Sequence, residues 1–266
     1  MPDYYFERDF LMDRVSRGLK LYSGIALFLD YDGTLTPIQK DPSQCVLTEG
    51  LKEQLHILSQ GRRVRIAVLS GRTLTDVRKR VGIRTICYGG NHGLDISGPG
   101  IRFIHDGATA ARQLMTSAKR MLARELRLFE GAWLEDKKYS LSLHFRRLRG
   151  EEITALKRAF YKTLGEFPEK NSFSVIRGKK VLELTAVASW DKGKAALMLL
   201  DRLGRNWLPV VIGDDLTDET AFEALKKRGI TIRVGRSRRT SARFYVKKQG
   251  EVERVLALLI DAVEHM

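Results

Sequence analysis

The sequence predicts a doubly wound α/β core, a parallel sheet with helices on both faces, carrying an inserted α+β cap domain. Three observations predict it. Five short apolar runs, at 25–29, 64–69, 85–88, 208–212 and 230–234, are each followed by a glycine or polar turn and then a helical pattern. Near-continuous apolar strands of that kind belong to sheets buried on both faces, as parallel sheets are. Asp30, Ser70, Asn91 and Asp214 fall at or just past the carboxyl ends of such runs, where open α/β sheets place their sites. The stretch 106–183 breaks the alternation, so the core is assigned to 1–105 and 184–266 and the cap to 106–183.

The first run drives into DYDGTLTPI, at 30–38. Asp30 and Asp32 share strand parity, so both carboxylates face one side if the strand geometry continues. Two close carboxylates repel unless a cation intervenes. Gly33 permits an unusual backbone angle, and Thr34 offers a hydroxyl or a cap. Alone, the segment fits an Asx-type turn equally well. A helix follows over 51–60, and the next run ends in LSGR, at 69–72. Ser70 with the free N–H groups of a helix start forms an anion site there, or it is simply an N-cap.

In the cap, Leu114, Met115, Ala118, Met121 and Leu122 form a helical stripe. YSLSLHFR, at 139–146, alternates Tyr139, Leu141, Leu143 and Phe145 with Ser140, Ser142, His144 and Arg146, which predicts a half-buried antiparallel strand with one polar face. KKVLEL, at 179–184, places Lys179 and Glu183 on one face of another strand. The chain returns through WDKGKAAL, which sets Lys192 and Lys194 in the first turn of a helix. Cations there oppose the helix dipole, so an anion nearby is one explanation and plain surface lysine the other. VVIGDDLTDE then runs a strand into Asp214, Asp215, Asp218 and Glu219, ahead of a helix over 217–227. Helix-start chemistry accounts for one or two of these acids but not all four. Two acidic clusters at the carboxyl ends of one parallel sheet would face each other. Carboxylates without His or Cys partners suit Mg²⁺, a hard cation that completes its octahedron with water and phosphate.

The totals narrow the function classes. At 266 residues with a 43% hydrophobic fraction, the chain has ample length for a globular core. No apolar run approaches the roughly 20 residues that span a bilayer, and the N-terminus lacks a signal peptide's apolar centre. With only Cys45 and Cys87, there is no disulfide framework, and a cytoplasmic address is expected. The net charge of +15 favours anionic partners. Between 226 and 248 ten residues are Lys or Arg and none is acidic, which reads as a solvated basic surface or as a polyanion-binding patch. No zinc finger, RNA-recognition signature or stacked aromatic series supports nucleic acid.

DYDGT, LSGR, a lysine at a helix start and GDD, in that order, resemble the haloacid dehalogenase (HAD) superfamily of phosphohydrolases, with its HAD-like, Rossmann-type core. The resemblance implies Asp30 as nucleophile, forming an aspartyl-phosphate, and Asp32 as general acid and then base. It implies Mg²⁺ held by Asp30, the Asp32 carbonyl, Asp214 and either Asp218 or Asp215, the latter taken as a supporting residue. Ser70 and Lys192 would bind the phosphoryl oxygens.

Within that superfamily the chain resembles the trehalose-6-phosphate phosphatase family in LDYDGTLTPI, VIGDDLTDE, GNHG at 90–93, LEDKKYSLSLHFR and GKKVLEL. By position this implies Arg72, Asn91, His92, Gly93, His144, Arg146, Lys179 and Glu183 as substrate contacts. A disaccharide's hydroxyls need paired donors and acceptors, and a cap inserted between Ser70 and Lys192 could close over them and exclude water. Both histidines also fit structural roles. One departure is that Glu183 is followed by Leu-Thr rather than the family's Arg-Pro. Sucrose 6-phosphate and mannosyl-3-phosphoglycerate therefore remain as alternative substrates, and a polyanion-binding protein using 226–248 as a non-enzyme alternative. The expected partner is a small sugar phosphate met by a monomer, without nucleic acid or membrane.

Overall fold

A computed structural model describes residues 4–5, 8–39, 41–178, 180–186, 190–204 and 206–264. It divides into two compact units, Met1–Phe103 with Trp190–Met266, and Ile104–Ser189. In chain order the elements begin with β1 (Tyr4–Tyr5), α1 (Arg8–Leu21), β2 (Gly24–Leu29), α2 (Glu49–Gln60), β3 (Val64–Leu69), α3 (Leu74–Val81), β4 (Cys87–Gly90), β5 (Asp95–Gly98) and β6 (Ile101–Ile104). The smaller unit follows with α4 (Ala108–Leu126), β7 (Trp133–Asp136), β8 (Ser140–His144), α5 (Gly150–Gly165), β9 (Phe173–Gly178) and β10 (Val181–Ala186). The chain returns through α6 (Lys192–Leu203), β11 (Trp207–Gly213), α7 (Glu219–Leu225), β12 (Ile230–Val234), β13 (Phe244–Val246) and α8 (Val252–Glu264).

Among the described residues, the larger unit's sheet runs β1-β13-β12-β11-β2-β3-β4-β5-β6. The pairs β1–β13, β13–β12, β12–β11, β11–β2, β2–β3 and β3–β4 are parallel, whereas β4–β5 is antiparallel. All of β2 is buried, and its alternation divides the core in two. Ile25, Leu27 and Leu29 pack with Leu51, Leu55 and Leu58 of α2 and Val255, Leu256 and Leu259 of α8. Ala26 and Phe28 face the other way, onto Ala195, Ala196 and Leu199 of α6 and Phe222 and Leu225 of α7. A sheet with apolar layers on both faces is the doubly wound arrangement. Leu29 pairs with Ile212 on one side and Val68 on the other, so the loops after β2, β3 and β11 leave the same edge side by side.

The smaller unit is an antiparallel sheet, β7-β8-β10-β9, with helices on one face. Leu141, Leu143, Leu182 and Leu184 meet Met115, Ala118 and Leu122 of α4 and Leu156, Phe160 and Leu164 of α5. β7 was not foreseen, because WLED is only four residues long and half of it is charged. The polar face of β8 is not solvated as expected, since Ser140 and Ser142 are both buried. The reason at Ser140 is a hydrogen bond from its Oγ to Glu183 Oε1 at 2.8 Å. The unit also runs past the sequence boundary at 183, because Glu183 lies inside β10, which pairs with β8 and β9 through Thr185.

Candidate active site

The chain leaves β2 at Leu29 and turns at once. Leu35 and Thr36 both donate their N–H to the Tyr31 carbonyl at 3.0 Å, and Gly33 donates to Thr36 at 2.7 Å. Gly33 holds φ at +93°, and a Cβ there would collide with the Asp214 carboxylate. Thr34 Oγ1 donates to Asp214 Oδ1 at 3.3 Å. The two acidic segments, 180 residues apart in sequence, therefore touch. The strand geometry ends at Leu29, so the parity that would set Asp30 and Asp32 on one side as a repelling pair does not extend to them. Each has its own cation.

Asp30 is paired with Lys192, whose Nζ donates to Asp30 Oδ1 at 2.7 Å and to Asp218 Oδ1 at 2.8 Å. The first-turn lysine is thus not a surface residue: its side chain is 3% exposed. Asp191 caps α6 by accepting from the Lys194 N–H at 2.9 Å, and Lys192 follows it inward. Burial opposes the ammonium charge, yet the charges of Asp218 and Asp30 more than offset it and hold Lys192 protonated. Asp218 Oδ2 accepts the N–H groups of Asp214 and Asp215 at 3.0 and 3.1 Å, which folds the GDD turn. Asp215 Oδ1 accepts from the Thr217 N–H at 2.8 Å and its Oγ1 at 2.7 Å, which closes an Asx turn. Burial works against the Asp215 charge, but Lys192 and those hydrogen bonds bring its pKa down to about 2. Asp214 goes the other way. Burial, then the charges of Asp218 and Asp215, push it up to about 7.

One ligand oxygen each from Asp30, Asp214 and Asp218 lies within 4.8 Å of the others. Lys192 offsets part of that charge, and Arg72 is bound to Asp32 instead. An all-oxygen set with negative charge to spare fits a hard divalent cation, and the ammonium already shows where positive charge settles.

After β3, Ser70 is buried, and its Oγ accepts from the Arg72 N–H at 3.1 Å. The expected anion site and the N-cap reading divide here: Thr73, not Ser70, caps α3, by accepting from the Asp76 N–H at 3.2 Å. Arg72 does not stand open as a substrate contact. Its Nε and Nη2 donate to Asp32 Oδ2 and Oδ1, each at 2.6 Å, and its Nη1 to Asp76 at 2.8 Å.

The GNHG turn is zipped onto this segment: Asn91 N–H donates to Arg72 O at 2.7 Å and His92 N–H to Ser70 O at 2.9 Å. Asn91, His92 and Gly93 all have positive φ, at 49°, 58° and 90°. Trp190 Nε1 donates to the Gly93 carbonyl at 2.9 Å. Asn91 is buried, and its Oδ1 accepts no hydrogen bond among the described residues. His92 packs against Gly71, where a Cβ would lie 2.8 Å from its Cε1.

In the smaller unit, the register Trp133–His144 and Glu135–Ser142–Glu183 gathers one polar face. His144 Nε2 lies 2.8 Å from Glu135 Oε2, and its ring stacks on Trp133 with centroids 4.7 Å apart. The His144 hydrogen bond lowers the Glu135 pKa against its burial. Glu183 also pairs with Lys137 at 3.5 Å. Arg146 follows β8 just beyond that face, and Lys179 lies outside the described residues. Sequence reasoning missed Arg72 as the partner of Asp32, Thr34 as a contact of Asp214, and Glu135 with Trp133. The i, i+4 spacing of Arg72, Asp76 and Arg80 was a readable signal for the pairs with Asp76, though not for the pair with Asp32.

Residues 28–250 match the family model described as Trehalose-phosphatase. The chain is 34% identical over 255 residues to trehalose 6-phosphate phosphatase RA3 of Zea mays, covering 88% of this chain and 69% of that protein. It is 36% identical over 216 residues to a trehalose-phosphate phosphatase of Mycobacterium bovis, covering 78% of this chain and 53% of that protein. The chain therefore spans about half the length of that mycobacterial relative. Its fold is similar to the C-terminal domain of trehalose-6-phosphate phosphatase from C. albicans, with a TM-score of 0.80, 22% identity and coverage of 98% of this chain and 99% of that one.

Proposed function

Since the chain belongs to the trehalose-phosphatase family, a family of phosphoric monoester hydrolases, we propose that it hydrolyses trehalose 6-phosphate to trehalose and inorganic phosphate through an aspartyl-phosphate, with Mg²⁺. The observation that supports this most is the buried Asp30, held by Lys192 within a three-carboxylate cluster. Lys192 binds Oδ1 of Asp30, which leaves Oδ2 for attack on phosphorus. As that bond forms, the ester P–O bond breaks and the departing sugar oxygen takes a proton from Asp32. Water then attacks the phosphoryl group, gives its proton to Asp32, and the P–O bond to Asp30 breaks. Lys192 and the Ser70 hydroxyl would hold phosphoryl oxygens during both transfers. The carboxylates of Asp30 and Asp214, the Asp32 carbonyl and, nearby, Asp218 would hold Mg²⁺, which when bound offsets the charge that otherwise repels a phosphate dianion.

For the sugar, Asn91, His92 and Gly93 in the larger unit, and His144, Arg146, Lys179 and Glu183 in the smaller, are the proposed contacts. Asn91 Oδ1 is a buried acceptor unpaired among the described residues, and a sugar hydroxyl would satisfy it. The test is phosphate release with Mg²⁺ over a panel of trehalose 6-phosphate, sucrose 6-phosphate, mannosyl-3-phosphoglycerate and glucose 6-phosphate. The reading expects trehalose 6-phosphate to have the highest kcat/KM; equal or better turnover of another ester would overturn the substrate.

A further inference from the structure

The pair between Arg72 and Asp32 is built more heavily than a half-exposed ion pair needs. Its guanidinium meets both oxygens of Asp32, each at 2.6 Å. The remaining donor groups reach Asp76 Oδ2 and the Pro42 carbonyl, both at 2.8 Å. The group lies 5.4 Å over the Tyr31 ring, whose hydroxyl donates to the Cys45 carbonyl at 2.9 Å. Asp76 also takes Arg80 Nε at 2.9 Å, and Arg80 Nη1 reaches the Ser43 and Cys45 carbonyls at 3.1 and 3.0 Å. The Arg72 side chain is only 10% exposed. A guanidinium fixed on several sides by charge-assisted bonds is a rigid tool for fixing something else.

We propose that Arg72 is a positioning residue for the carboxylate of Asp32, aiming the group that exchanges a proton with the leaving oxygen and then with water. This rests on the phosphatase reading above. A carboxylate offers about four lone-pair directions. The fork occupies one on each oxygen and leaves one on each to meet substrate or water. Arg72 forms and breaks no bond to phosphorus. Four of its five N–H groups are committed within the larger unit, which argues against a main role in gripping sugar. Lysine would keep the charge and lose the two-pronged hold.

The test uses kcat/KM for 4-nitrophenyl, phenyl and ethyl phosphate, none of which carries a sugar, with wild type, Arg72→Lys, Asp32→Asn and the double variant. A poor leaving group depends on protonation and a good one hardly does. Arg72→Lys is expected to lose about 10²-fold on ethyl phosphate and only a few-fold on 4-nitrophenyl phosphate, the span general acid catalysis covers. Once Asp32 is Asn, the lysine should cost ethyl phosphate nothing further. Equal losses across the series, complete inactivity included, or an undiminished rate on ethyl phosphate, overturn the proposal. A wild-type protein that releases phosphate neither from these esters nor from trehalose 6-phosphate would overturn the phosphatase reading with it. One active on trehalose 6-phosphate alone is read on that ester, where Arg72→Lys should cost activity and cost nothing further once Asp32 is Asn, so the two failures are told apart.

Discussion

The residues at this site are defined by their partners. Asp30 and Asp32 look alike in sequence, yet one is fixed by a buried ammonium and the other by a guanidinium. That separation suits two different tasks, because a nucleophile needs a free oxygen aimed at phosphorus and an acid–base group must reach the leaving oxygen. Asp30→Asn removes the charge of the proposed nucleophile while nearly preserving shape. Turnover of trehalose 6-phosphate should fall by about 10³-fold or more, the scale of losing an activated nucleophile, with the melting temperature little lowered. Residual phosphate release near the wild-type rate would remove Asp30 as phosphoryl acceptor. Positions were legible where a motif sets them: Asp30, Ser70 and Asp214 lie just past strand ends, and Lys192 lies at a helix start, as the sequence implied. Arg72 was less legible, because nothing in SGR says whether its fork turns to substrate or to Asp32.

At the scale of elements, the tight turn after β2 does the positioning. Gly33 at φ +93° lets the chain reverse against the Asp214 carboxylate, a conformation and a clearance that no side chain shares. Gly33→Ala should lower stability by about 1–3 kcal/mol, from backbone strain plus displacement of Asp214, and weaken divalent-ion binding as well. Thermal unfolding with and without Mg²⁺ separates the two effects; an alanine variant with wild-type melting and wild-type ion response would contradict the role given to this turn. The buried parallel strands were legible because their apolar runs are continuous. β7 and the hairpin β5–β6 were not, since each strand is only four residues long and takes its stability from pairing rather than from a pattern of its own. The acidic helix start at Asp218 was read as one explanation among two, and it serves both: Asp218 folds the turn and joins the carboxylate cluster.

At the scale of the whole molecule, part of the basic 226–248 segment is held by local partners. Lys226 and Arg233 are paired with Glu223 and Glu219, at 2.6 and 2.7 Å, and Lys247 lies over the Tyr5 ring. No helix among the described residues is long and apolar enough to cross a membrane. What the fold concentrates instead is negative charge at one sheet edge, where loops after β2 and β11 meet. Burial and its acidic neighbours lift Asp214 to about 7. Without metal, the stability tied to that proton is present at about pH 4 and below, and is lost as pH rises through about 7. A divalent ion reverses the sign, since it binds the ionised form and gains as the proton leaves. The most direct measurement is therefore a Mg²⁺ titration followed by thermal unfolding at pH 8 and at pH 5. Saturating Mg²⁺ at pH 8 should stabilise by about 2–3 kcal/mol at a hundredfold excess over Kd, and by much less at pH 5, where Asp214 keeps its proton. No stabilisation at either pH, or a larger one at pH 5, would contradict a cation site built from Asp30, Asp214 and Asp218.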